Sequence, residues 1–232
     1  TTEIYTLSLH DALPICGEVL GLAGLMGAGR SEVVAAIFGL VPAESGEIRL
    51  RGKVVRIRRP ADAIRLGIGM VTEDRKGYGI VPDMSVRHNL TLASLRDCCG
   101  GPLIKHAREA AVAAEAIGRF AIKTSGQRSK VSQLSGGNQQ KVVIARTMLA
   151  GPEIVILDEP TRGIDVGAKE EVHGIIGEFV RKGSTVILVS SELSELLALC
   201  DRILVMREGE ITAELDPART TREEILQHAI PA

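Results

Sequence analysis

Segment 17–38 constrains this chain more than any other. Gly17-Glu18-Val19-Leu20-Gly21-Leu22-Ala23 reads as a short buried strand, a glycine-rich turn follows, and a helix is expected from about Ser31 to Phe38. A strand that turns through glycines directly into a helix is the opening of an α/β layer. A second such unit lies far downstream. Ile154–Leu157 and Thr185–Val189 read as strands with a helix, Val166–Val180, between them, and a crossover of this kind requires parallel strands. Short strands are expected at 46–50, 54–57 and 68–71, with a helix at 61–66. From Ser85 to about Leu149 the pattern becomes helical, with one helix at 105–120 and another at 136–149. Residues 203–206 and 210–213 read as a hairpin, and Thr221-Arg222-Glu223-Glu224 is a capping box for a last helix. The expectation is an α/β core with a helical insert of about 60 residues.

Gly24-Leu25-Met26-Gly27-Ala28-Gly29-Arg30-Ser31 fits the phosphate-loop pattern G-x-x-x-x-G-K-[ST] with one departure. Its glycines let backbone N–H groups curl round phosphate oxygens, and Ser31 can ligate Mg²⁺. Read alone, the same residues also suit a plain glycine-rich corner. Arg30 is the departure. It keeps the charge of the usual lysine but is longer, planar and forked, so the geometry for γ-phosphate transfer differs.

Two further segments carry chemistry. Ile154-Val155-Ile156-Leu157 ends in Asp158-Glu159. Asp158 at the strand end can hold Mg²⁺ through water, and Glu159 is positioned to polarise an attacking water. A buried strand ending in solvated acids is the alternative. Pro160-Thr161-Arg162-Gly163-Ile164-Asp165 then forms a tight turn whose final acid could touch a partner domain. In Leu134-Ser135-Gly136-Gly137-Asn138-Gln139-Gln140-Lys141, a Ser-Gly-Gly opens a helix where bare N–H groups and the helix dipole attract anions. Two phosphate-reading elements in one domain suggest a nucleotide sandwiched between two copies of it.

Composition narrows the alternatives. Net charge is −1 and aromatics are 2%, with no Trp, which disfavours a basic nucleic-acid surface or a base-stacking platform. No apolar run reaches the roughly 18–20 residues that span a bilayer; Val142–Leu157 is broken by Arg146, Gly151, Pro152 and Glu153. Cys16, Cys98, Cys99 and Cys200 show no metal spacing and read as reduced thiols. His10, His88, His106, His173 and His228 are scattered at no ligand spacing. Asp74-Arg75-Lys76 reads equally as a solvated loop or as part of a partner-facing groove.

Taken together, the phosphate loop, the LSGG segment, the acidic strand and the EPT-x-G-x-D turn resemble the ATP-binding cassette family from Gly17 onward. LSGGNQQK followed by LDEPTRGIDVGAK, with Thr72-Glu73-Asp74-Arg75, resembles more narrowly the C-terminal cassette of tandem ATPases that drive bacterial sugar importers of the ribose, galactose and xylose type. The resemblance implies a P-loop NTPase with a RecA-like core, an antiparallel β portion and a helical subdomain at about 85–149, within a nucleotide-binding domain at 16–232. It implies ATP and Mg²⁺ as ligands. Gly24, Gly27, Ala28, Gly29, Arg30, Ser31, Glu73, Ser135, Gly136, Gly137 and Asp165 would face nucleotide, Ser31 and Asp158 the metal, and Glu159 and Ser191 the chemistry.

The partners so implied are another cassette, either an N-terminal half or a second copy, membrane permease subunits, and indirectly a periplasmic sugar-binding protein, at the cytoplasmic face of the bacterial inner membrane. In the family, two cassettes meet head to tail, and each ATP lies between one phosphate loop and the other LSGG. Three residues depart from the family pattern: Arg30 for lysine, Glu73 for a glutamine and Ser191 for a histidine. The adenine-stacking aromatic would fall near Tyr5. Residues 1–15 break the pattern that follows, resemble translated sequencing adapter and are expected to be a non-native leader; the chain itself is expected to be one half of a longer protein. The leading expectation is an ATPase module, and the alternative is a catalytically weak nucleotide-binding partner. A cassette acting on DNA or ribosomes suits the charge poorly, and a small-molecule kinase would leave LSGG unexplained.

Overall fold

A computed structural model describes residues 17–43 and 45–230. The expectations for residues 1–15, including Tyr5 and His10, and for Cys16 lie outside the described residues.

The first half contains β1 (Val19–Gly24), α1 (Arg30–Phe38), β2 (Ile48–Leu50), β3 (Lys53–Val55), α2 (Pro60–Arg65), β4 (Ile68–Val71), α3 (Val86–Thr91), β5 (Cys99–Gly100), β6 (Leu103–Ile104) and α4 (His106–Arg119). There follow α5 (Gly136–Leu149), β7 (Ile154–Asp158), α6 (Val166–Arg181), β8 (Thr185–Val189), α7 (Leu193–Leu199), β9 (Arg202–Arg207), β10 (Glu210–Leu215) and α8 (Arg222–Ala229). The chain divides into two compact units. Among the described residues, the first takes those through Met70 with Glu153–Glu159 and those from Ile176; the second takes Val71–Pro152 and Pro160–Ile175.

The first unit is built on a six-stranded sheet in the order β10-β9-β1-β8-β7-β4. β1 lies parallel to β8 and β9, and β7 lies parallel to β8, as the crossover rule requires. β10 returns antiparallel on β9 at the edge. Every residue of β8 is buried because strands flank it on both sides. Leu20, Leu22, Ile156, Ile187, Val189 and Leu204 from the strands pack with Val34, Phe38, Ala63 and Ile68. Each large side chain in that set contributes about 1.5–3 kcal/mol by leaving water.

β1 begins at Val19, two residues later than the apolar run suggests. Gly17 has φ 79°, and the Val19 N–H donates to Asp201 Oδ2 at 2.8 Å, so a side chain rather than a strand serves the first amide. The β2–β3 hairpin is likewise shorter than expected at both ends.

The second unit is mainly helical. Val86, Leu90, Ala113, Ala116, Val142, Val143 and Ile144 form its buried faces. Buried Asn89 stitches the entry: its Oδ1 accepts from the Val81 N–H, and its Nδ2 donates to the carbonyls of Val81 and Ser85. Within the helical region expected from 85 to 149, the two-residue strands β5 and β6 also pair across Gly101-Pro102, which the sequence reading did not include. A two-residue strand is too short to display an apolar period. A single π turn also spans Arg75–Gly79, with the Asp74 carboxylate accepting from the Gly77 N–H at 2.8 Å.

Candidate active site

In the first unit, β1 ends at Gly24, and the backbone there turns so tightly that a Cβ would lie 2.5 Å from the Met206 carbonyl oxygen and 2.9 Å from Ala28 Cβ. Only glycine fits. The loop closes through the Ala28 N–H on the Leu25 carbonyl and is tied down by the Gly209 N–H on the Ala28 carbonyl, both at 3.0 Å. Met26 at its tip is 93% exposed. α1 starts one residue earlier than expected, at Arg30, with left-handed Gly29 as its cap and no side chain serving the first-turn amides. Amides left without a side-chain cap at a helix N-terminus, with the helix dipole behind them, can attract an anion.

Beside this loop stand the side chains from β7 and β8. Ser31 Oγ donates to Asp158 Oδ1 at 3.1 Å. Burial pushes the Asp158 carboxyl up to about 6, against the opposing pull of the Ser31 hydrogen bond. A buried carboxylate facing a hydroxyl is a hard-oxygen pair suited to Mg²⁺, whose charge would offset the desolvation of Asp158.

Glu159 takes a left-handed backbone, φ 49°, and its N–H donates to the Val189 carbonyl at 2.9 Å. The Ser191 hydroxyl donates to Glu159 Oε2 at 3.0 Å. Arg30 Nη2 lies 3.7 Å from Glu159 Oε1, and Arg30 Nη1 donates to the Ser190 carbonyl at 2.8 Å. Nothing local in the sequence pairs Arg30 with residues so far along the chain; only the parallel order of β1, β8 and β7 brings them together.

The second unit holds the other site candidates. Ser135 precedes α5, but its Oγ accepts from Asn138 Nδ2 at 2.9 Å rather than capping the helix. Gly137 packs so closely that an added Cβ would lie 2.5 Å from Ala168 Cβ. Asp165 Oδ1 accepts from the Ala168 N–H at 2.9 Å, capping the start of α6. A Cβ on Gly136 would come within 3.3 Å of Arg75 Nη2, and burial lowers the pKa of Arg75. Glu73 forms an ion pair with Arg162.

Sequence reasoning gave no role to Lys141, which is 1% exposed and donates to the Ala121 carbonyl and to Glu171 Oε2, the latter at 2.7 Å. That contact holds the Glu171 carboxyl below its usual range. The signal was present, since a lysine amid the apolar positions of α5 needs a buried anion.

Among the described residues no group of three or more His, Cys, Asp or Glu could hold a metal, and no helix is long and apolar enough to cross a membrane. His88 and His106 instead face buried Glu109, at 3.8 and 3.5 Å.

A mostly parallel sheet whose first helix opens from a glycine loop, with a serine at its start facing an aspartate on a nearby strand end, defines a P-loop NTPase. A family model described as ABC transporter matches residues 15–162, and the chain belongs to that family. The ribose import ATP-binding protein of Rhodopirellula baltica is 49% identical over 230 residues, 98% of this chain and 44% of that protein. The xylose import ATP-binding protein of Yersinia pseudotuberculosis is 46% identical over 216 residues, 92% of this chain and 42% of that protein. The chain thus spans less than half the length of these relatives. A solved dimeric ATP-binding cassette in a post-hydrolysis state, bound to ADP and Pi, shares the fold with a TM-score of 0.75 at 23% identity, covering 90% of this chain and 89% of that one.

Proposed function

We propose that this chain is the second cassette of a tandem ATPase that drives import of a monosaccharide through a membrane permease at the cytoplasmic face of the bacterial inner membrane. The observation that carries the reading is the joining of Ser31, Asp158 and Glu159 at the open end of one parallel sheet. The likeness to ribose and xylose import proteins supports the substrate class. Choice of the particular sugar would rest with the permease and a periplasmic binding protein.

Gly24, Gly27, Ala28 and Gly29 present amides to the phosphates, and Arg30 supplies charge. Ser31 and Asp158 would hold Mg²⁺, which neutralises phosphate charge when bound. Glu159 orients the attacking water and accepts its proton as the water oxygen bonds to the γ-phosphorus and the bond to the bridging oxygen breaks. Ser191 cannot act as an imidazole, but its hydroxyl fixes the rotamer of Glu159. Ser135, Gly136 and Gly137, with Asp165 and Glu73 nearby in the same unit, complete the ATP site of the other cassette. ATP draws the two faces together and hydrolysis releases them, and that cycle moves the permease.

The decisive experiment is ATP hydrolysis by the full tandem protein with its permease in liposomes. Sugar-loaded binding protein should stimulate turnover; equal turnover without sugar rejects the coupling. Ser135→Arg should abolish most turnover while Arg30→Ala only reduces it, and the reverse outcome exchanges the roles of the two faces. One observation favours a second reading, a mainly nucleotide-binding cassette: Arg30 already has an anion partner in Glu159. Triphosphate binding without hydrolysis by the tandem protein, with the first cassette's base removed, would support it.

A further inference from the structure

The geometry points to Arg30 as a nucleotide-released restraint on Glu159. The inference rests on the reading that the loop at Gly24–Ser31 takes a nucleoside triphosphate, and concerns how occupancy of that loop controls the base. Both oxygens of Glu159 are engaged: Oε2 by the Ser191 hydroxyl at 3.0 Å and Oε1 by Arg30 Nη2 at 3.7 Å. The two side chains are 11% and 9% exposed, so the pair is little screened by water. A cation that close occupies the face of Oε1 that a water would need.

The backbone decides which partner must move. Glu159 is pinned by its left-handed φ of 49° and by its N–H on Val189, and Ser191 holds the far oxygen. Arg30 hangs from the first residue of α1 by a flexible side chain whose other anchor is the Ser190 carbonyl. The same guanidinium belongs to the phosphate loop, so a triphosphate and Glu159 compete for it. The polyphosphate offers more negative oxygens in the bidentate arrangement that arginine prefers. As Arg30 turns to the phosphates, Glu159 Oε1 loses its cation and is left open to a water, while Ser191 keeps the rotamer. An arginine spans both Ser190 and Glu159 from position 30. Its two terminal nitrogens divide the work, Nη1 on the Ser190 carbonyl and Nη2 toward Glu159.

Competition of this kind is measurable without hydrolysis. Removing the charge of Glu159 should strengthen triphosphate binding only where Arg30 is present to be released. Affinity for a non-hydrolysable ATP analogue with Mg²⁺ would be measured by calorimetry on this chain, on Glu159→Gln, on Arg30→Met and on the double variant. The expected result is a gain of about fivefold from Glu159→Gln with Arg30 in place, and less than about twofold in the Arg30→Met background, a coupling typical of contacting charged residues. Equal gains in both backgrounds overturn the proposal, because a general loss of negative charge would then explain them. Failure of the unsubstituted chain to bind any triphosphate removes both the restraint and the nucleotide reading.

Discussion

In the first unit the residues that face the candidate site are themselves charged or titratable: Arg30, Asp158 and Glu159, tied to Ser31 and Ser191. In the second, the surface offered by Ser135, Gly136 and Gly137 carries no formal charge, and ion pairs such as Lys141–Glu171 and Arg162–Glu73 hold the elements that present it. Under the proposed function, the first face would do chemistry with side chains and the second would recognise shape with backbone. A side-chain site concentrates unfavourable burial, as the raised pKa of Asp158 records, whereas a backbone site concentrates close approach, as Gly137 against Ala168 records. Substitutions in the first should therefore separate activity from stability, and substitutions in the second should move them together.

The sharpest separation is expected at Glu159. Glu159→Gln should lower single-turnover ATP hydrolysis by about 10²–10⁴-fold, the usual contribution of a general base, without weakening nucleotide binding. Retention of more than about a tenth of the rate in a rapid-quench assay would place the base elsewhere.

Next is Asp158. Its carboxyl titrates at about 6 in the fold against 3.8 ordinarily, so the folded state holds the proton more tightly than the unfolded chain. The charged form therefore destabilises the fold. That penalty is complete above about pH 6 and absent below the ordinary carboxylate range. Asp158→Asn should stabilise the chain by up to about 3 kcal/mol in metal-free, nucleotide-free urea melts at pH 7.5, and the gain should vanish toward pH 3.5. A gain that does not depend on pH would sever the link to burial.

In the second unit the sign reverses. Gly137→Ala forces a methyl onto the Ala168 side chain, which has no rotamer by which to yield, and should destabilise by about 1–3 kcal/mol. Affinity of the phosphate loop for nucleotide should be untouched. Gly174, on α6 in the same unit, has nothing within 4 Å of an added Cβ. Gly174→Ala should stabilise by about 0.5–1 kcal/mol through helix propensity alone, the smallest effect of the series. If both alanines shift the melting temperature in the same direction, close approach is not what distinguishes the two positions.

Much of this organisation was legible in the chain before folding. Largely apolar runs marked β1, β7 and β8, because a strand buried on both faces needs no polar alternation. The helical character of 106–119 and 136–149 followed from spacing. What escaped was short or non-local. The β5–β6 hairpin has no room for a period, and the π turn at Arg75–Gly79 depends on Asp74 reaching the Gly77 amide.

Residue types and local geometry therefore came from the sequence alone: a glycine loop before a helix, a serine to follow it, two acids after a strand, and a Ser-Gly-Gly at a helix start. These are properties of neighbours along the chain, where backbone dihedrals and helix dipoles act. Tertiary structure decided the partners. Arg30 meets Glu159 and Ser190, and Lys141 meets Glu171, because strand order and helix packing bring together residues that no spacing relates. Electrostatic pairing depends on distance and burial in space, and those quantities exist only once the chain has folded.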